Sequence, residues 1–595
     1  MHEPQSPLPN PPHERPDGSL VVDLLVIGSG AAGLSAAVTA AHLGLKVLVI
    51  EKEPQFGGTT AWSGGWMWVP RNPLARAAGI DEPIEKPLNY LRHELGAGFS
   101  EPMARAYLEA APQMVSFFKD HTALQFIDGN GIPDFHGNTP DAALGGRSVC
   151  AAPFDARRLG AQLERLKPPL FETTLWGMGI ASGADLRYFL NALRSVRALG
   201  YVVARVMRHL RDLFLYRRGM HLVNGNALVA GLAQSAFDKG VDIRTEHAAT
   251  GLLCEDGRVV GAHIKTPQGA FTVQARCGVV LACGGFPHDV ARKKALLPHA
   301  PTGVEHWSGA SRGNTGDGLR LGEAAGGRVA DLSAADSAVG GSHAAALAPV
   351  SLVPQADGSV VHFPHLIERA KPGLIAVTPQ GVRFCNEADS YFDVVQALLK
   401  VTPPGQLPQA WLLCDHAFIR RYGLGAVKPA PMPLGRWLNK GYLKRAANLA
   451  LLAQTCELPF LALRDTVNRY NALAVVGQDA DFKKGETAYN RIQGDASAGH
   501  ANPCMAPLLQ GPFYAMRVVV GSLGTFAGLD TNRHGQVLDK TGEPIAGLYA
   551  AGNDMNSIMA GRYPSGGITL GPAMTFGFLA AHHAAGQAGA ARPSR

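Results

Sequence analysis

Apolar residues run almost without interruption over positions 21–27, stop at Gly28-Ser29-Gly30-Ala31-Ala32-Gly33, and resume as a stretch of small residues over 34–43. An apolar run bounded by a glycine turn predicts a strand covered on both faces, and the small residues predict a helix packed closely against it. A second apolar run, 46–50, ends in Glu51. Runs at 279–282, just before Gly284-Gly285, and at 548–551, just before Gly552-Asn553-Asp554, predict two further buried strands with polar or glycine ends. Over 201–215 the pattern changes: apolar residues recur every three or four positions with Arg between them, which predicts an amphipathic helix. Such a helix either rests on a lipid surface or lies over the protein as a lid. No apolar run reaches about 18 residues, so a membrane-spanning helix is not expected.

Strand, glycine loop, helix, strand and acid in that order form a nucleotide-binding unit. The glycines allow the turn and the approach of backbone to a pyrophosphate, the helix N-terminus attracts phosphate, and the acid accepts hydrogen bonds from ribose hydroxyls. The segments Gly57-Gly58-Thr59-Thr60 and Ser63-Gly64-Gly65 extend the polar, glycine-rich path beyond Glu51 and Lys52. A plain nicotinamide site has no need of this path, whereas a flavin dinucleotide does, so FAD is the expected cofactor. The residues expected to hold it are Gly28, Gly30, Ala31, Ala32, Gly33, Glu51, Lys52, Gly58, Thr59, Thr60, Ser63, Gly64, Gly65, Gly284, Gly285, Asp317, Gly552, Asn553, Asp554, Thr569 and Leu570.

Composition changes this picture little. The chain has 595 residues, 46% hydrophobic and 17% charged, which fits a globular protein of several domain-sized units gathered into two lobes. The formal charge of +7 comes without a Lys/Arg run, so a nucleic-acid partner is not indicated. The 8 cysteines contain no C-x-x-C pair, so neither a metal site nor a disulfide framework is expected, and Cys277 and Cys283 read as core thiols. Residues 1–20 are rich in Pro and lack an apolar core, which reads as a disordered tail and not a signal peptide, with the cytoplasm as the expected compartment.

The chemistry concentrates near the C-terminus, in Tyr563-Pro564-Ser565-Gly566-Gly567-Ile568-Thr569. A Tyr hydroxyl and a backbone N–H can together hold the oxyanion formed when a proton leaves the carbon beside a ketone. Tyr563 and Gly567 are the expected pair. Gly571-Pro572 opens a predicted helix whose positive end points back toward this segment.

These motifs, with Asn314-Thr315-Gly316-Asp317-Gly318 and Gly381-Val382-Arg383-Phe384-Cys385-Asn386-Glu387, resemble the fumarate reductase and 3-ketosteroid dehydrogenase superfamily of flavoproteins. The resemblance implies an α/β fold, a Rossmann-like FAD-binding domain interrupted by an α+β catalytic (cap) domain. The expected boundaries are 21–290 for the first FAD segment, with a helical insertion at about 165–220, then 291–510 for the cap and 511–595 for the returning segment. Covalent attachment in complex II relatives uses a His in the stretch equivalent to 59–65. No His is there, so FAD is expected to be noncovalent. Fumarate-reducing members carry a proton-donating Arg where Ala370 stands, which disfavours that activity and leaves Arg369 and Lys371 as a structural or surface pair. Ketosteroid 1-dehydrogenases carry Y-P-G-P-G, and the Tyr and final Gly match here while Ser565 departs. That departure resembles the 4,5-desaturating branch, in which a Ser relays a proton among tyrosines, so the leaning is to 4,5-desaturation of 5α-3-ketosteroids. The 1,2-desaturating enzymes and a dehydrogenase or ene reductase of another bulky cyclic ketone are the alternatives. Segment 361–365 lacks the acid/base Tyr expected of 1-dehydrogenases, so Tyr391 is the relay candidate, with His365 behind it. Hydride would pass to flavin N5, and electrons would leave to a quinone or another external acceptor, since no second glycine-loop unit exists. The expected substrate is a steroid or other lipophilic ketone, with peripheral membrane contact through the 201–215 helix.

Overall fold

The computed structural model describes residues 13–14, 19–330, 332 and 344–590. Most of the expected N-terminal tail therefore lies outside the described residues. His13 and Glu14 pair antiparallel with Val21 and Leu20, so that part of it is an added edge strand and not a loose tail.

The first sheet has the parallel order Pro544–Ala550, Gly269–Leu281, Leu20–Ile27, Val47–Ile50, Asp242–Arg244. The four central residues of Leu20–Ile27 that carry side chains to either face, Leu24, Leu25, Val26 and Val22, are fully buried, as a strand covered on both sides requires. The helix Ala31–His42 lies on one face, against the C-terminal helix Leu570–Ala590. A Cβ on Gly33 would stand 2.0 Å from the Gly28 carbonyl oxygen, so only glycine lets this helix come so near the strand end. The antiparallel meander Ala248–Glu255, Arg258–Thr266, Gly269–Leu281 returns the chain to the centre of the sheet.

The cap is built on a second sheet, in the order Val360–Pro364, Ala345–Pro354, Phe513–Thr525, Gln409–Cys414, Leu374–Val377. Its central strand, Phe513–Thr525, also pairs with Trp307–Ser308 and Lys444–Ala446. This corrects the expected boundary at residue 510. The run is apolar and buried along nearly its whole length, which fits a parallel nucleotide strand as well as a central cap strand, and only its antiparallel partners assign it to the cap. Residues 400–505 likewise contribute strands to the cap sheet, and their helix Phe460–Val476 packs Leu463, Val467 and Tyr470 against Phe513 and Met505. The insertion between the two lobes carries helices Ala184–Leu190 and Val196–Tyr216.

Candidate functional site

One continuous cavity of about 2470 Å³ runs from the glycine loop, between the lobes, to the insertion. Small-ligand pockets span roughly 300–1,000 Å³, so this volume suits a dinucleotide together with a second molecule.

The cofactor half gathers most of the residues expected there. Gly28, Gly30, Ala31, Ala32, Glu51, Lys52, Gly58, Thr59, Thr60, Ser63, Gly64 and Gly65 all line it, joined by Gly284, Asp317, Gly552, Asn553, Thr569 and Leu570. The helix Ala31–His42 starts at Gly30 with neither a side-chain cap nor an acid in its first turn, which leaves its positive end for phosphate. Thr60 Oγ1 accepts a hydrogen bond from Ala31 N at 3.0 Å and so ties the second loop to that end. Glu51 accepts from Ser29 Oγ at 2.5 Å and from Glu53 N at 3.0 Å. Burial pushes its carboxyl pKa up, against these hydrogen bonds. Thr59 Oγ1 accepts from Ser311 N at 2.9 Å and from Asn314 Nδ2 at 3.0 Å, which locks the glycine-rich path to the cap-side loop. Lys52 forms an ion pair with Asp317. An open cradle at Gly58, where a Cβ would meet nothing within 4 Å, and a helix start with no acid in its first turn fit FAD. Positions 59–65 hold no His.

Four expected site residues are elsewhere. Gly33 packs helix on strand, as above. Gly285 lies behind the wall, where a Cβ would stand 2.1 Å from Thr525 Oγ1. Asp554 is wholly buried and accepts from Cys283 N and, at 2.9 Å, from Gly285 N, so it holds the 283–285 turn and does not face the cavity. Burial raises its pKa to about 6. Ser565 is buried and does not line the cavity; its hydroxyl lies near Asp134 without a hydrogen bond, and that carboxyl accepts from Trp68 Nε1 at 2.8 Å and from Arg147 Nη1 at 2.7 Å. Successive residues of a tight segment point in different directions, and the Tyr563 side is the one that faces the cavity.

The reacting half centres on Tyr563. Its ring is 3% exposed, stacks on Phe135 with centroids 5.9 Å apart and an interplanar angle of 11°, and meets Tyr391 edge-on at 5.0 Å. Burial raises the Tyr563 phenol, opposed by hydrogen bonds with Tyr391 and Thr569, and burial pushes Tyr391 well above the ordinary phenol range. The next residue is pinned: the Pro564 carbonyl accepts from Tyr90 O–H at 2.7 Å and from Phe135 N at 3.0 Å. Gly567 has φ of +95°, and a Cβ there would stand 2.7 Å from Met67 Cα, Trp66 O and Trp68 N, so the position admits glycine alone. Its carbonyl accepts from Trp68 N at 3.1 Å and from Gly571 N at 3.0 Å, and among the described residues its N–H has no acceptor.

Tyr489, which the sequence did not single out, also lines the cavity, its ring 4.5 Å from that of Phe135. It comes from the short helix Ala488–Gln493, far along the chain from any motif, and no local signal marks it. Tyr391 opens the helix Tyr391–Val401, capped by Ser390. Asp393 on that helix meets His136 Nε2 at 2.9 Å, and Glu94 meets His136 Nδ1 at 2.5 Å, so His136 ties the lobe carrying Phe135 to the helix carrying Tyr391. Arg369 is a core residue that donates to the carbonyls of His365, Leu366, Glu387 and Asp389, whereas its neighbour Lys371 lines the cavity. His365 is buried, between Ser351 Oγ at 2.7 Å and Glu368 at 2.6 Å, and is not part of the lining.

The family model "FAD binding domain" matches residues 23–570. The chain is 36% identical to 4-oxocyclohex-2-ene-1-carboxylate 5-dehydrogenase of Sinomonas cyclohexanicum, over 97% of this chain and 96% of that protein. It is also 36% identical to 3-oxosteroid 1-dehydrogenase of Mycobacterium tuberculosis, over 95% and 99%. The structure of 3-ketosteroid delta1-dehydrogenase from Sterolibacterium denitrificans in complex with 1,4-androstadiene-3,17-dione superposes with a TM-score of 0.87 at 33% identity, covering 95% of this chain and 100% of that one. The cofactor cradle and these likenesses agree: the chain belongs to the FAD-dependent 3-ketosteroid dehydrogenase family, oxidoreductases acting on CH–CH donors.

Proposed function

We propose that this enzyme removes two hydrogens from adjacent carbons of a ketone-bearing six-membered ring, at the bond between carbons 1 and 2 when the ring belongs to a 3-ketosteroid. The carrying observation is that Tyr563, Gly567 and Tyr391 line one cavity, with the Tyr391 ring edge-on to Tyr563 at 5.0 Å. Two donors converging on one oxygen stabilise the enolate more than the ketone, which lowers the barrier to loss of the α-proton. Tyr391 is the hydroxyl placed to take that proton. Its raised pKa means that it must first lose its own, so the base form grows with pH. FAD, when bound, supplies the hydride acceptor. Phe135, Phe392 and Phe526 surround Tyr563 and exclude water from the oxyanion. The alternative, desaturation between carbons 4 and 5, leans on Ser565 as a relay, and Ser565 is not part of the cavity lining.

A monocyclic oxo acid is the second reading, favoured by the 36% identity to the Sinomonas enzyme. Electrons leave to a quinone or another external acceptor. The insertion helix Val196–Tyr216 supports lipophilic entry: Val202, Val206 and Leu213 line the cavity, Leu199, Val203 and Met207 are both exposed and part of its lining, and Val196, Leu210 and Phe214 are exposed outside it as an apolar stripe. A stripe of this kind, flanked by arginines, suits the interfacial layer of a membrane. Among the described residues no helix is long and apolar enough to cross one. The test is anaerobic bleaching of the yellow protein by a 4-ene-3-ketosteroid and by a 5α-3-ketosteroid, with mass spectrometry of the products. A 1,4-diene from the first supports the proposal, and a 4-ene formed rapidly from the second, with no reaction of the first, overturns it.

A further inference from the structure

Beyond the tyrosines, the cavity wall carries two lysines without a carboxylate partner. Lys371 Nζ donates to the carbonyls of Gln493 at 2.6 Å and Gly494 at 2.8 Å, and Lys428 Nζ donates to the Glu172 carbonyl at 2.6 Å. An ammonium has three donors, so Lys371 keeps one and Lys428 two for a ligand. Both side chains are partly buried and line the cavity, and among the described residues neither forms an ion pair. Burial pushes both ammonium groups down, Lys428 to about 8, so an anion placed beside them would restore the charge that the wall disfavours. Arg187 lines the same region as a third cation.

Two carboxylates in this wall are already matched. Burial opposes ionisation of Glu368, but His365 at 2.6 Å prevails and holds its pKa near about 2. Asp495 is paired with Arg421. Glu172, whose carboxylate accepts from Gln355 Nε2 at 2.9 Å, also acts on Lys428, so Lys371, Lys428 and Arg187 outnumber the one carboxylate left without a cation and the surplus charge at this end is positive. Its position follows from the helix Ala488–Gln493: Tyr489 and Gln493 are one turn apart, about 6 Å along the axis, so the carbonyl that holds Lys371 is one turn beyond the ring that packs on Phe135.

We propose that this end of the cavity is an anion subsite, and that the preferred ring ketone carries a carboxylate at the end opposite its ketone, received by Lys371 and Lys428. The inference rests on the ring-ketone reading above and deepens it. Tyr563 and Gly567 take the ketone oxygen, while the lysines fix the far end and thereby choose which ring carbons face the flavin side. A carboxylate gains a charge-assisted hydrogen bond from either lysine, whereas an ester of the same shape leaves the ammonium groups unmatched.

The test compares each acid with its own methyl ester, 4-oxocyclohexanecarboxylate and 3-oxoandrost-4-ene-17β-carboxylate, by kcat/KM on the FAD-loaded enzyme. Expected is an acid preference of about tenfold or more for at least one pair, and a fall in that ratio of about tenfold in Lys371→Met or Lys428→Met. Lys428→Met stands apart from the helix end that Lys371 holds, so it keeps the test open if Lys371→Met fails to fold. An acid-to-ester ratio at or below one in the wild-type enzyme overturns the subsite, and so does a ratio that survives in both folded variants. Silence of both members of both pairs, with a flavin still reduced by dithionite, strikes the ring-ketone reading itself and is distinguished from loss of acid preference alone.

Discussion

Replacing Tyr563 by Phe removes one oxygen from the centre of the site and leaves the ring. The stacking on Phe135 at 5.9 Å and the edge contacts with Tyr391, Phe392 and Phe526 are kept, so no cavity larger than a hydroxyl opens. The stability cost is that of the hydrogen bonds with Tyr391 and Thr569, about 1 kcal/mol each, partly recovered because both partners are hydroxyls that can turn to other acceptors. The rate cost is larger. Loss of one oxyanion donor costs about 10²–10³ in kcat, roughly 2.7–4 kcal/mol, and the Gly567 N–H remains as the second donor. Because the enolate exists only along the reaction path, kcat and kcat/KM should fall together, with KM nearly constant. The assay is steady-state turnover with an artificial electron acceptor, beside FAD content and thermal melting of the same preparation. Retention of kcat within about fivefold, with flavin fully loaded, would refute the oxyanion assignment.

Four further outcomes follow from the geometry. Ser565→Ala removes a buried hydroxyl that makes no hydrogen bond, so stability should hold or rise slightly while kcat stays within severalfold, and a loss of 10² or more with FAD retained would return Ser565 to the proton path. With Tyr391 pushed well above the ordinary phenol range, log(kcat/KM) should climb with pH from neutral to at least about 10, and a flat profile there excludes it as the base. For His136, burial works against the charge but Asp393 and Glu94 prevail and raise its pKa to about 11. Its clamp therefore stabilises fully below the unfolded value of about 6.5 and fades as pH rises toward 11, so melting of wild type and His136→Gln should converge over that window; a difference independent of pH contradicts the ionic clamp. Phe214, 85% exposed, gains about 1.5–3 kcal/mol on burial in an interface, so Phe214→Asp should release the enzyme from anionic vesicles in flotation, and a wild-type protein that never floats refutes the contact.

What the sequence determined by itself is local. The residues from Gly28 to Gly33, Glu51, and Tyr563 with Gly567 act within a turn or a short loop, where neighbouring backbone alone dictates who faces the ligand. A glycine loop between a strand and a helix can bend only a few ways, so its ligand could be inferred without any partner. Tyr391 was legible because it stands beside a motif. The remaining assignments needed distance contacts. The strand Phe513–Thr525 carries an apolar pattern that two different sheets would accept, and its partners decide between them. Asp554 and Ser565 sit inside the right motifs, yet one holds a turn 269 residues away in the chain and the other is buried outside the cavity lining, because side chains one or two positions apart leave a tight segment in opposite directions. Tyr489 and Lys428 belong to segments with no pattern of their own, and Lys371 stands in a motif stretch that marked it only as a structural or surface residue. They became one wall only when the cap folded over the nucleotide lobe, since a cavity is formed by convergence of distant elements and no periodicity along a single element records it.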